Sequence, residues 1–151
     1  MDRFVFLIPC RPPTKNRSHR AVNGKIILSA DTRAFRASVA QIAAAKKWPQ
    51  IKEGRWSMLV ITTAPQLRHL GEEHIPYLDS DAVLAEVRDA LQEAGVLDDD
   101  LRVVSTTGEV VYRPGEEPHC LVELTRLEKV DITHTYRVYE SLLVEAKGER
   151  N

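Results

Sequence analysis

Apolar positions recur along this chain with two different periods, and the changes between them mark out the elements. The run "RFVFLI" (3–8) is β-branched and aromatic, which predicts a strand. The stretch "PCRPPTKNRSHRAVNG" (9–24) has prolines that remove backbone donors and an Asn-Gly pair at 23–24, so irregular chain closed by a turn is expected. "KIILS" (25–29) predicts a short second strand. From Asp31 to Lys47 the spacing becomes helical, with Phe35, Val39 and Ile42 on one face. Ser29 or Asp31 can cap the first amides of that helix, Lys46 and Lys47 suit its negative end, and Pro49 lies just past the stop.

"WSMLVITTA" (56–64) is apolar throughout, the pattern of a strand covered on both faces. Residues 65–77 are expected to form a long loop of functional interest. Val83, Leu84, Val87, Leu91 and Ala94 then make the stripe of a second helix over about 80–94, which Gly95 ends in the left-handed region. "LRVVSTTGEVVYR" (101–113) and "HCLVELTRL" (119–127) predict a hairpin around "PGEE", with a bulge at Gly108. Tyr136, Tyr139, Leu142 and Leu143 give a terminal helix an apolar face, expected to pack on the sheet or on a second subunit. The order is β-β-α-β-α-β-β-α. Hairpins mixed with crossover helices imply an α+β fold: a mixed sheet with helices packed on it, not a doubly wound one.

At 151 residues, 43% hydrophobic and 28% charged, the chain is expected to be one soluble globular domain, 1–151. No stretch approaches the roughly 20 apolar residues of a membrane span. The opening "MDRFVFLIPC" lacks the length and cleavage site of a signal peptide, and Cys10 and Cys120 form no metal spacing. Reduced thiols in a cytoplasmic protein are the expectation. Charge is unevenly spread. Residues 1–50 hold ten Lys and Arg against two Asp, a balance of +8, so the net charge of −1 leaves −9 for the remainder. Either one surface meets an anionic partner, or the two parts neutralise each other on folding.

The acids carry the candidate chemistry. Asp79 and Asp81 stand two apart at the entrance to the second helix, so in extended chain both face one side. Asp98, Asp99 and Asp100 follow that helix. Two readings are open. Asp79 or Ser80 caps the helix and the later acids form a solvated turn, or the two groups converge. Convergence requires that the next strand pair beside the one leading to Asp79. Like charges at 4 Å repel by about 4 kcal/mol at an effective dielectric of 20, so a cluster needs a cation to offset it. Mg²⁺ prefers oxygen ligands, often one or two carboxylates plus a phosphate, which points to phosphodiester hydrolysis.

With these residues in view, the sequence resembles the RusA family of Holliday junction resolvases. The resemblance covers about residues 4–127, with 128–151 as a helical extension. It rests on "IPCRPPTKNRSHR", "LSADTRAFRASVAQI", "LDSDAVLAEVRDALQEAGVLDDDLRVV" and the closing "LVELT". What it implies is a homodimeric, Mg²⁺-dependent endonuclease that resolves branched DNA by paired nicks. The family's catalytic and metal-binding aspartates fall on Asp79, Asp81 and Asp100, with Asp99 beside them at the metal. Lys15, Arg17, Arg20, Lys25, Arg33 and Arg36 would hold DNA phosphates. The chain departs from the family at the arginines before D-x-D (here Pro76, Tyr77, Leu78), at the asparagine after it (Ala82) and at a lysine one turn on (Ala85), with Arg88 a further turn along. These departures set up the alternative, a branched-DNA-binding protein of the same type with impaired cleavage. For His69 and His74, flanking Glu72 and Glu73, a surface loop near the DNA is expected rather than a metal site.

Overall fold

A computed structural model describes residues 3–13, 19–76, 80–128 and 132–148. Four strands form the main sheet: β1 (Arg3–Ile8), β4 (Arg55–Ala64), β7 (Val103–Tyr112) and β8 (Cys120–Leu127), in the order β1-β8-β4-β7. Two separate hairpins flank it, β2 (His19–Val22) with β3 (Lys25–Leu28), and β5 (Leu67–Leu70) with β6 (Glu73–Pro76). Three helices complete the described residues: α1 (Ala30–Lys46), α2 (Ser80–Glu93) and α3 (Ile132–Ala146). The fold is α+β, with a mixed sheet: β4 runs parallel to β7 and antiparallel to β8, and β1 runs antiparallel to β8.

The expected hairpin of 101–113 with 119–127 is not formed, because β4 lies between the two strands. The apolar content of each strand accounts for the order. β4 buries Trp56, Met58, Val60, Thr62, Thr63 and Ala64, whereas Val104, Ser105, Thr106 and Thr107 of β7 stay exposed. The strand with most to bury takes a central place and the polar one takes the edge. The expected bulge is displaced as well. Gly108 pairs with Val60 in uninterrupted register, and the irregularity falls where Trp56 faces Val103 and Ser57 faces Ser105.

Two stretches expected to be irregular contain hairpins. Asn23 and Gly24 both have positive φ, 51° and 75°, the requirement of a type I′ turn, and they join β2 to β3. In the second, Gly71 at φ 62° begins a two-residue turn with Glu72, joining β5 to β6 with Leu70 opposite Glu73. Glycine first in the turn is the type II′ signature, and "LRHL-GE-EHIP" alternates too little to reveal the strands beside it.

Both core helices cover one face of the sheet. Phe35, Val39 and Ala43 of α1 and Val83, Val87, Ala90 and Leu91 of α2 join Phe6, Ile8, Met58, Val60, Val122 and Leu124 in one core. Ser29 caps α1, its side chain accepting from the Thr32 amide at 3.2 Å. Gly95, at φ 79°, closes α2: its amide donates to Gln92 O at 3.0 Å and that of Val96 to Leu91 O at 3.0 Å. The chain after each helix returns to where β4 begins. Ile51 and Leu97 form a parallel bridge there, with the Ile51 amide donating to Val96 O at 2.7 Å. Both helices therefore direct their N-termini toward the end of the sheet where β4 and β7 stop. On the opposite sheet face Val5, Leu7 and Leu121 are exposed, while Leu59 and Ile61 of β4 are half-buried.

Candidate functional site

That end of the sheet is where two helix N-termini and the chain after β1 meet. The positive ends of two helix dipoles point toward it. In open sheets with crossover helices, ligands gather beyond the carboxyl ends of parallel strands, here β4 and β7. The segment after β1 also passes this end: Arg11 donates from Nε to Thr63 O at 3.2 Å, and His119 and Thr63 exchange hydrogen bonds of 3.1 Å. The hairpin of β5 and β6 leaves from the same end of β4 and leads through 77–79 into α2.

The predicted residues divide by position. Asp79, Lys15 and Arg17 lie outside the described residues. Asp81 is the second residue of α2, so its backbone stands at the phosphate-favouring end. Arg20 lies on β2 and Lys25 on β3, paired opposite Ile27 and Val22. Arg33, in the first turn of α1, is exposed and makes no ion pair among the described residues.

Arg36 is differently engaged. Its guanidinium meets Glu86 twice, Nε at 3.4 Å and Nη2 at 3.3 Å, and also Glu93 at 3.3 Å and Asp89 at 3.5 Å. Burial opposes its charge, but the hydrogen bonds and charge of Glu86, Glu93 and Asp89 outweigh that and hold it more firmly protonated. Arg36 thus ties α1 to α2 and is taken up by protein carboxylates. Here the basic first third does neutralise the acidic remainder, as it does where Arg3 meets Glu123 at 2.5 Å.

The acids after α2 find individual partners. Arg102 grips Asp98 with both Nε and Nη2, the latter at 3.0 Å, and this hydrogen bond pulls the Asp98 carboxyl below its usual range. Asp99 caps the 3₁₀ turn Asp100–Arg102, its Oδ1 accepting from the Leu101 amide at 2.8 Å. The Asp100 carbonyl accepts from the Val103 amide, while its carboxylate makes no hydrogen bond or ion pair among the described residues.

The sequence pattern groups Asp100 with Asp81, and the topology parts them. The following strand does pair beside β4, but in parallel, so the chain must cross back along the whole of α2 first. A 14-residue helix is about 21 Å long. Asp81 begins it. Asp100 lies just before β7, near Ile51 and Gly54, where the Asp98 amide donates to Ile51 O at 3.2 Å and Arg102 Nη1 to Gly54 O at 3.4 Å. Within one chain these acids stand toward opposite ends of the crossover. Among the described residues, no group of three or more His, Cys, Asp or Glu is placed to hold a metal.

On α2 itself, Ala85 is exposed, and the Nε of Arg88 is buried with no partner among the described residues. A buried guanidinium nitrogen without an acceptor is uncommon and calls for a partner. Arg88 lies a further turn along α2 than Ala85, and the burial of its Nε leaves no signal in the sequence pattern. Arg11 was missed because its proline-rich setting gives no register.

The class that the fold defines is an α+β protein with a mixed sheet, with two helix N-termini directed to the end where β4 and β7 stop. The chain belongs to the endodeoxyribonuclease RusA family, whose pattern matches residues 9–125 of the 151. No curated protein matches it. Among the described residues, no helix is long and apolar enough to cross a membrane.

Proposed function

We propose that this protein is a homodimeric, divalent-metal-dependent endonuclease that resolves four-way junctions or other branched DNA. Family membership supplies the reaction class, DNA phosphodiester cleavage. The observation that carries the finer reading is the shared direction of α1 and α2, which brings Asp81 and Arg33 to the end of the sheet where Arg11 meets Thr63. Anionic backbone meeting this end finds helix dipoles and guanidinium groups first, and carboxylates able to hold a cation next.

The donor set fits a hard cation. Asp79 and Asp81 would supply carboxylate oxygens, and Asp100 has both of its own uncommitted among the described residues. Mg²⁺ held there would supply charge to stabilise the phosphoryl oxygens and acidify a water. Since the crossover separates Asp81 from Asp100 in one chain, a joint site takes Asp100 from a second subunit. A two-fold dimer then contains two equal sites, one for each nick of a symmetric pair. Arg33 and Lys25 hold flanking phosphates. Asp99, engaged in its cap, supports Asp100 by fixing the turn.

The test is a Mg²⁺-dependent nicking assay on a four-way junction. Asp81→Asn and Asp100→Asn should each abolish cleavage. Mixed and allowed to exchange subunits, the two variants should regain single nicks, because a mixed dimer contains one intact site. Full activity in either variant alone rejects the ligand assignment, and failure of a verified mixed dimer to nick rejects sharing between subunits.

A second reading has a specific basis: α2 carries an exposed alanine at position 85, where the family's pattern has a lysine. On that reading the protein binds junctions in a salt-sensitive way without making products, and Ala85→Lys restores cleavage.

A further inference from the structure

The β5–β6 hairpin converts a five-residue spacing into a face-to-face pair. His69 and His74 are directly opposite in its antiparallel register, and their ring centroids are 4.1 Å apart with the planes at 55°. Both side chains are exposed. Neither makes a hydrogen bond or ion pair among the described residues, so ring nitrogens remain open on each. No core packing presses the rings together, because every residue of β5 and the first three of β6 are exposed.

From this geometry we infer that His69 and His74 form a two-imidazole binding site for a transition-metal ion. Two nitrogens that each bind at 2.0–2.1 Å in a tetrahedral arrangement stand roughly 3.3 Å from each other, and rings with centroids this close reach that spacing by small side-chain rotations. Imidazole selects Cu²⁺, Ni²⁺ and Zn²⁺ over hard cations, with Cu²⁺ bound most tightly. Mg²⁺, which requires oxygen ligands, is not a competitor here. No third His, Cys, Asp or Glu joins the pair among the described residues. Water therefore fills the remaining positions, and the ion is exchangeable.

The place in the fold gives the site a consequence. The hairpin is the connection from β4 to residues 77–79 and α2. An ion bridging β5 to β6 closes a ring across it and stabilises its paired state by the free energy of binding. The site is separate from the carboxylate site proposed above, and its existence does not depend on that proposal.

The experiment is calorimetric titration of tag-free protein with Ni²⁺, with Zn²⁺-dependent shifts of the imidazole ¹⁵N signals as a second readout. One ion per chain is expected, with both His69 and His74 signals moving together. His69→Gln and His74→Gln should each weaken Ni²⁺ binding at least tenfold, since a single imidazole is left. The hairpin is exposed, so neither substitution threatens folding. Five millimolar Mg²⁺ should leave Ni²⁺ affinity unchanged, and Asp81→Asn should bind Ni²⁺ as the parent does. Unaltered binding in the two glutamine variants, or displacement of Ni²⁺ by Mg²⁺, overturns the assignment. Loss of nicking in a protein that still binds Ni²⁺ bears only on the nuclease reading.

Discussion

Arg36 is shared among three carboxylates, and Glu86, which it meets twice, has only 6% of its side chain exposed. Removing the guanidinium strands a charge that water cannot reach. Breaking such a pair from one side costs more than the pair contributes, so Arg36→Ala should lower stability by about 3 kcal/mol, read by urea denaturation. Arg36→Lys should recover only part, since an ammonium cannot span Glu86 and Glu93 together. A loss below about 0.5 kcal/mol would show the network to be solvated. Cys120 gives a second expectation. Burial, with the nearby Cys10 adding to it, pushes its thiol up to about 12. An unfolded thiol titrates near 8.5. Between those values the folded state keeps a proton that the unfolded state releases. Its contribution is therefore whole below about pH 8.5 and lost progressively as pH rises, by about 1.4 kcal/mol per unit. Cys120→Val should flatten that part of the alkaline stability profile. Parallel profiles for parent and variant would contradict it.

At the scale of elements, α1 ends on a residue poorly suited to its conformation. Lys47 sits in the left-handed region at φ 54°, while its amide donates to Ala44 O at 3.3 Å and that of Trp48 to Ala43 O at 2.9 Å. The closing geometry is the one Gly95 provides for α2, with a side chain present. The left-handed conformation costs a non-glycine residue about 1 kcal/mol. Lys47→Gly, at an exposed site, should raise the denaturation midpoint by the equivalent of about 0.5–1 kcal/mol, and an unchanged or lowered midpoint would refute the cap analysis. The sequence pattern exposed both helices well, because Phe35, Val39, Val83, Val87 and Leu91 repeat at 3.6 and their stops carry local signals. It failed where pairing is decided at a distance. No local feature tells "LRVVSTTGEVVYR" that "WSMLVITTA" will enter between it and "HCLVELTRL". Four-residue strands such as Leu67–Leu70, exposed on all sides, have no buried face to write an alternation into the sequence.

For the molecule as a whole, the acids mark the boundary of what a linear reading reaches. D-x-D before an apolar helix and D-D after it were visible, as was the family they resemble. The direction of α2 was not, since a parallel β4–β7 pair and an antiparallel one demand different crossovers from the same pattern. The charge asymmetry likewise resolved residue by residue, with Arg36 and Arg3 paired internally and Arg33 exposed without an ion pair among the described residues. Binding to a junction should accordingly fall steeply between 50 and 200 mM salt, and Arg33→Ala should reduce the slope of log affinity on log salt by about one. An unaltered slope would exclude Arg33 from the phosphate contacts.

The strand order also governs how this protein emerges during synthesis. β8, made after the other three strands of the main sheet, slots between β1, the earliest of the four, and β4. Until residue 127 has left the ribosome, two apolar edges wait without their shared neighbour, and the nascent polypeptide has to keep them from foreign strands. A chaperone that shields extended segments, or rapid translation through the codons of β8, would matter more to the yield of this protein than to one built from hairpins in sequence.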